Sequence, residues 1–106
     1  MHPLQAAYAE ARDHVDGINR VRAAGTLAER LALAAEINRA RTALHEAENA
    51  MCLGIHEIVL ASATGQAAMF KRVILATEVT PAMLLANTKT RDKFIEMCFR
   101  IEVKET

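Results

Sequence analysis

Glycine and proline are scarce in this chain of 106 residues, at four and two, and its aromatic side chains are only Tyr8, Phe70, Phe94 and Phe99. Helix breakers are therefore few, while alanine alone accounts for twenty-one residues and Leu, Glu and Arg are abundant. That composition excludes a sandwich of short strands and a disordered chain, and leaves a helix-rich domain. Excess charge is also lacking. There are 13 basic and 13 acidic residues, and the balance holds in each half of the chain. Nothing in it gives a general attraction for nucleic acid or an anionic membrane. A neutral surface also protects less against self-association.

Cysteine is limited to Cys52 and Cys98, without CxxC spacing, so free thiols in a reducing cytoplasm are the expectation. The opening "MHPLQAAYAEARDH" has no apolar run of signal-peptide length, which points to a cytoplasmic location. The longest uncharged run, Ile58 to Phe70, is too short to cross a bilayer. Glycine-rich phosphate loops, GxSxG, HExxH and EF-hand patterns are all missing. One core of this size leaves little room for an enclosed active site, so neither catalysis nor a cofactor is expected.

The sequence predicts a mainly α fold of one domain, residues 1–106. Leu4, Tyr8, Ala11, Val15, Ile18 and Val21 recur at three- and four-residue steps and define a first helix from about Leu4 to Ala24. Gly25 stops it, and Thr26 with Glu29 forms a capping box for a second. From Leu27 to Ala63 there is no proline, and Ile37, Leu44, Met51 and Ile58 repeat at seven. The expected architecture is an antiparallel helical hairpin with a long second helix, followed by shorter elements. "VILATEV" reads as helix or strand. Thr80–Pro81 opens another helix. In "FIEMCFRIEVKET", Ile95, Met97, Phe99, Ile101 and Val103 alternate with polar residues, the period of one C-terminal β-strand over 94–104.

A helix of 37 residues would be roughly 55 Å long, too long for a compact domain with a radius of gyration of about 13 Å. Its distal part, from Met51, is apolar on nearly every side. Either the helix breaks near Gly54, or another chain covers that part. The expectation is a homodimer or another protein partner, with Met51, Ile55, Ile58, Val59, Leu60, Met69, Phe70 and Phe99 at the interface. Methionine suits such surfaces because it repacks readily.

"HEAENAMCLGIHEIVL" gathers His45, Cys52 and His56 on one helix, a pattern suggestive of metal or thiol chemistry. His45 and His56 are about 16 Å apart along a straight helix, and an apolar setting makes a thiol inert. No metal site is expected. "INRVRAAGTLAE" (Ile18 to Glu29) resembles "INRARTALHEAE" (Ile37 to Glu48), which places Arg20, Arg22, Arg39 and Arg41 at equivalent positions. They define a charged face for a partner or, less favoured, for nucleic acid. Acidic neighbours favour a solvated, salt-laced surface.

The functional expectation is a small regulator that binds another protein and blocks its activity or assembly, such as an anti-activator sequestering a transcription regulator. A secretion chaperone or structural adaptor shares every one of these features.

Overall fold

A computed structural model describes residues 1–103. Helix α1 spans Pro3–Ala24. His2 caps it: its imidazole Nδ1 accepts from the Leu4 N–H, and its own N–H donates to Gln5 Oε1. Pro3 at the first helical position needs no partner for a missing N–H. The turn at Gly25 leads into α2, Leu27–Ala32, begun by the expected Thr26/Glu29 capping box.

The long second helix is interrupted where no glycine or proline marks a break. Leu33 separates α2 from α3, Ala34–Ala61. Its N–H still bonds Glu29 O and its carbonyl still accepts from Ile37 N, so the interruption is a local change of direction within a bonded chain. The α2 turn is tied to the end of α1 by Arg30, which donates to the carbonyls of Arg22 and Ala23. Helix α3 is free of that tie and runs along α1.

Helix α3 passes through Gly54 without a break, and Leu4 of α1 packs into the space left by its missing side chain. A Cβ there would collide with Leu4 Cδ1. The helix ends at Ala61, two residues short of the expected Ala63. Ser62 turns outward with its hydroxyl on Ile58 O, and Gly65 adopts φ 74°, a left-handed conformation that glycine reaches without strain. The chain then bends by 100° into α4, Gly65–Thr77. Glu78, at φ 54°, ends α4 in the left-handed region. Helix α5, Pro81–Ala86, is capped by Thr80, and α6, Thr88–Arg100, by Asn87.

The C-terminal strand is a correction. Residues 88–100 are helical, and Ile101 to Val103 follow without strand pairing; Lys104 lies outside the described residues. The buried positions are Phe94, Ile95, Cys98 and Ile101, at helical spacing, while Met97, on the supposed inner face of the strand, is exposed. "VILATEV" likewise runs as helix to Thr77, with Ala67, Phe70 and Ile74 inward.

The molecule measures 53 × 28 × 17 Å with a radius of gyration of 16.4 Å, above the ~13 Å of a compact chain of this length. Its thin end is the opposite of the one expected. The polar half of the hairpin projects, held by Val15, Ile18, Ile37 and Ala40. The apolar half of α3 is wrapped by α4, α5 and α6, and Met51, Cys52, Ile55 and Val59 are sealed within this chain's own main core. Among the described residues no single helix is long and apolar enough to cross a membrane.

Candidate protein-binding groove

Helices α4 and α6 approach each other through side chains, with Phe70 and Phe94 at 6.4 Å between ring centroids. Between them lies an open groove of about 460 Å³, lined by Gln66, Met69, Phe70 and Val73 from α4 and by Met97, Arg100 and Ile101 from α6 and its end. Phe70 and Ile101 are buried and form its floor. Met69, Val73 and Met97 form its walls and are 68, 54 and 45% exposed. The helical spacing is direct: Phe70 and Ile74 turn inward at four, which leaves Met69 and Val73, also four apart, outward on the adjoining face. Gln66 closes one end, its Oε1 accepting from the Glu102 N–H. Beyond Gln66 a second, more enclosed cleft of about 630 Å³ continues past the α3–α4 turn to His2, Pro3 and Ile58.

Of the interface residues expected from sequence, Met69 and Leu60 are exposed, and Ile58 and Phe99 are half-buried. Met51, Ile55, Val59 and Phe70 are inside the chain. Met97, expected on the inner face of a strand, stands on this wall instead, and Val73 is an addition whose signal was its place four residues from Met69 on an amphipathic helix. Phe99 packs edge-on to Tyr8 at 5.1 Å, and the Arg12 guanidinium lies over both rings, 4.9 Å from Phe99 and 5.5 Å from Tyr8. Burial pushes the Tyr8 phenol above its ordinary pKa, against the opposing pull of Arg12.

The histidine- and acid-rich stretch on α3 receives an arginine. Arg91 of α6 reaches His45 Nδ1 at 3.1 Å, donates to Asn49 Oδ1 at 3.1 Å and to the Leu85 carbonyl at 2.8 Å, and lies 3.7 Å from Glu48. One guanidinium thus ties α3, α5 and α6, through half-buried Glu48, Asn49 and Leu85 and an exposed His45. Cys52 turns from this stretch into the core cluster that also holds Cys98, and His56 has a buried Nε2 without a hydrogen-bond partner. Among the described residues no three of His, Cys, Asp and Glu gather in a way that could hold a metal ion.

The four arginines do not share a face. Residues two apart on a helix point to opposite sides. Arg20, Arg39 and Arg41 are exposed, while Arg22 is half-buried with its Nε unpaired. Compared with protein-family models, with curated proteins and with solved structures, the chain matches none of them.

Proposed function

We propose that this chain is a small, non-enzymatic, cytoplasmic regulator that binds an amphipathic helix of another protein, a transcription regulator for example, and blocks its activity or assembly. The observation that carries the reading is the exposure of Met69, Val73 and Met97 on facing helices above a floor of Phe70 and Ile101. A helix laid in such a groove anchors through apolar residues one turn apart. Fully burying a large apolar side chain is worth about 1.5–3 kcal/mol. Three that are already about half covered contribute roughly 2–5 kcal/mol, close to the lower bound of association costs near 4 kcal/mol. The groove by itself therefore supports weak, reversible capture, and polar contacts at Gln66 and Arg100 set affinity and register.

Tagged wild-type chain and a Met69→Asp variant, both confirmed folded by circular dichroism, test this by pull-down from the native host and mass spectrometry. A regulator recovered by wild type and lost by the variant is the expected result. Recovery of secretion substrates instead supports the chaperone alternative. Equal recovery by both proteins removes the groove from the mechanism.

Self-association is a second reading, carried by Leu53 and Leu60, which stand exposed seven residues apart on the outer side of α3. Two copies pairing along that stripe would make a two-fold interface without opening either core.

A further inference from the structure

Helix α3 has 28 residues and is about 42 Å long. Its exposed side runs from Ala35 to Leu60, and the two halves of that side differ. The second half carries two projections, Leu53 and Leu60, with Glu57 exposed between them. The first half carries an open hollow of about 340 Å³, lined by Asn38, Arg39, Thr42, Ala43 and Glu46. Arg39, Thr42, Ala43 and Glu46 stand at i, i+3, i+4 and i+7. Four such residues make the hole that receives a side chain from a facing helix. Among the described residues, neither Arg39 nor Glu57 has an ion-pair partner within the chain. One face thus carries knob and hole, acid and base, in opposite halves. Such a face complements itself when a second copy lies against it in the reverse direction.

Building on the self-association reading, we propose that two copies pair antiparallel along α3 about a two-fold axis. Leu53 of each copy fills the hollow of the other, and Glu57 of each lies beside Arg39 of the other.

The register follows from the spacing. Centred on the hollow, Leu53 is level with Thr42 and Ala43 of the second copy. Between antiparallel helices, a step forward on one is a step back on the other. Glu57, four residues beyond Leu53, therefore comes level with Arg39. Leu60, three residues further, comes level with Ala35 and Glu36, over the exposed methyl of Ala35. Arg39 and Glu57 are eighteen residues apart (57 − 39), about five whole turns, so they lie on the same flank of α3. A two-fold axis across the seam keeps that flank on one side and brings the two charges together. Glu46 and its copy straddle the axis, about 5 Å apart along the helices, and repel each other. The interface therefore pairs opposite charges twice and opposes like charges once. The α4–α6 groove contains no α3 residue, so the two surfaces are distinct.

Sedimentation equilibrium of the full chain at micromolar concentration tests the register, in about 50 mM salt to limit screening. Arg39, Glu46 and Glu57 are exposed, and matching thermal melts confirm that each variant is folded. Arg39→Glu and Glu57→Arg should each weaken the dimer about tenfold or more, because each reverses a charge in both pairs. The two substitutions together should restore it to within about threefold of wild type. Glu46→Gln should tighten it. Single substitutions without effect, a double variant that stays weak, or a weaker Glu46→Gln dimer would overturn this register while leaving self-association in place. A wild-type chain that sediments as a monomer would remove both.

Discussion

Gln5 is a polar residue with 3% of its surface exposed, and its position ties both ends of the chain together. Its amide nitrogen donates to the carbonyls of Cys98, Phe99 and Ile101 at 2.9, 3.1 and 2.7 Å, while its oxygen accepts from His2 N. The last carbonyls of a helix have no partner within it, so a side chain of α1 supplies what α6 lacks. Leaving buried carbonyls unpaired costs about 1–3 kcal/mol. Gln5→Leu should therefore destabilise the fold by roughly 2–3 kcal/mol in urea unfolding, although leucine is the more apolar residue. A loss below half of that would show that water takes over the amide's role.

His56 is a second residue whose effect follows from its surroundings. Burial lowers its pKa below the ordinary 6.5, outweighing the opposite effect of Glu57. In acid the unfolded chain therefore binds the proton more readily than the folded one. The stability contributed by the neutral imidazole is complete above about pH 6.5 and is lost as pH falls through the lower folded value. His56→Gln should flatten the dependence of unfolding free energy on pH between about 7 and 5, which denaturant titrations at several pH values would detect. An unchanged slope would assign that dependence to other groups.

The α1–α3 contact shows how one element constrains another. Gly54 weakens α3 by helix propensity, since alanine is better by about 1 kcal/mol in a helix interior. Leu4 occupies the space that an added methyl would take. Gly54→Ala should thus be neutral or destabilising by about 1 kcal/mol in the wild-type chain, and stabilising by a similar amount when Leu4 is already alanine. Additive effects in that double-mutant cycle would mean that Leu4 moves aside freely. Helix α6 carries a related lesson. Strict alternation from Ile95 to Val103 fits a strand, but Asn87 caps a helix, Arg91 reaches α3 from its first turns, and Gln5 closes its end. These three anchors come from different parts of the chain, and together they favour the helix over the local pattern.

For the whole molecule, length and shape bear on association. Among the described residues, the apolar half of α3 is covered from within the chain. The drive available for self-association is consequently that of exposed residues such as Leu53 and Leu60, not of Met51 or Val59. Ile58 packs against the core, so its replacement by Asp should unfold the chain, whereas Leu60→Asp should leave the melt within about 1 kcal/mol of wild type. Sedimentation equilibrium at micromolar concentration should give a dimer for wild type and a monomer for Leu60→Asp. Dimer mass in both would place the two-fold contact elsewhere, and monomer mass in both would end the self-association reading.

The sequence by itself determined the helical class, the first helix and its stop at Gly25, the Thr26/Glu29 box and the Thr80–Pro81 start. Each of these rests on bonds and caps spanning three or four residues, which a local pattern contains in full. It also showed that the second half of α3 must be buried. What buries it was decided only by the tertiary structure. The 100° bend after Ala61 folds α4 back, and α5 and α6 follow onto α3, so the chain itself provides the cover that a second subunit was expected to give. The same return brings Arg91 to His45, Glu48 and Asn49, and Cys98 into the core cluster that holds Cys52. Burial depends on apolar area without regard to its source, and a helix face carries no record of which partner will cover it.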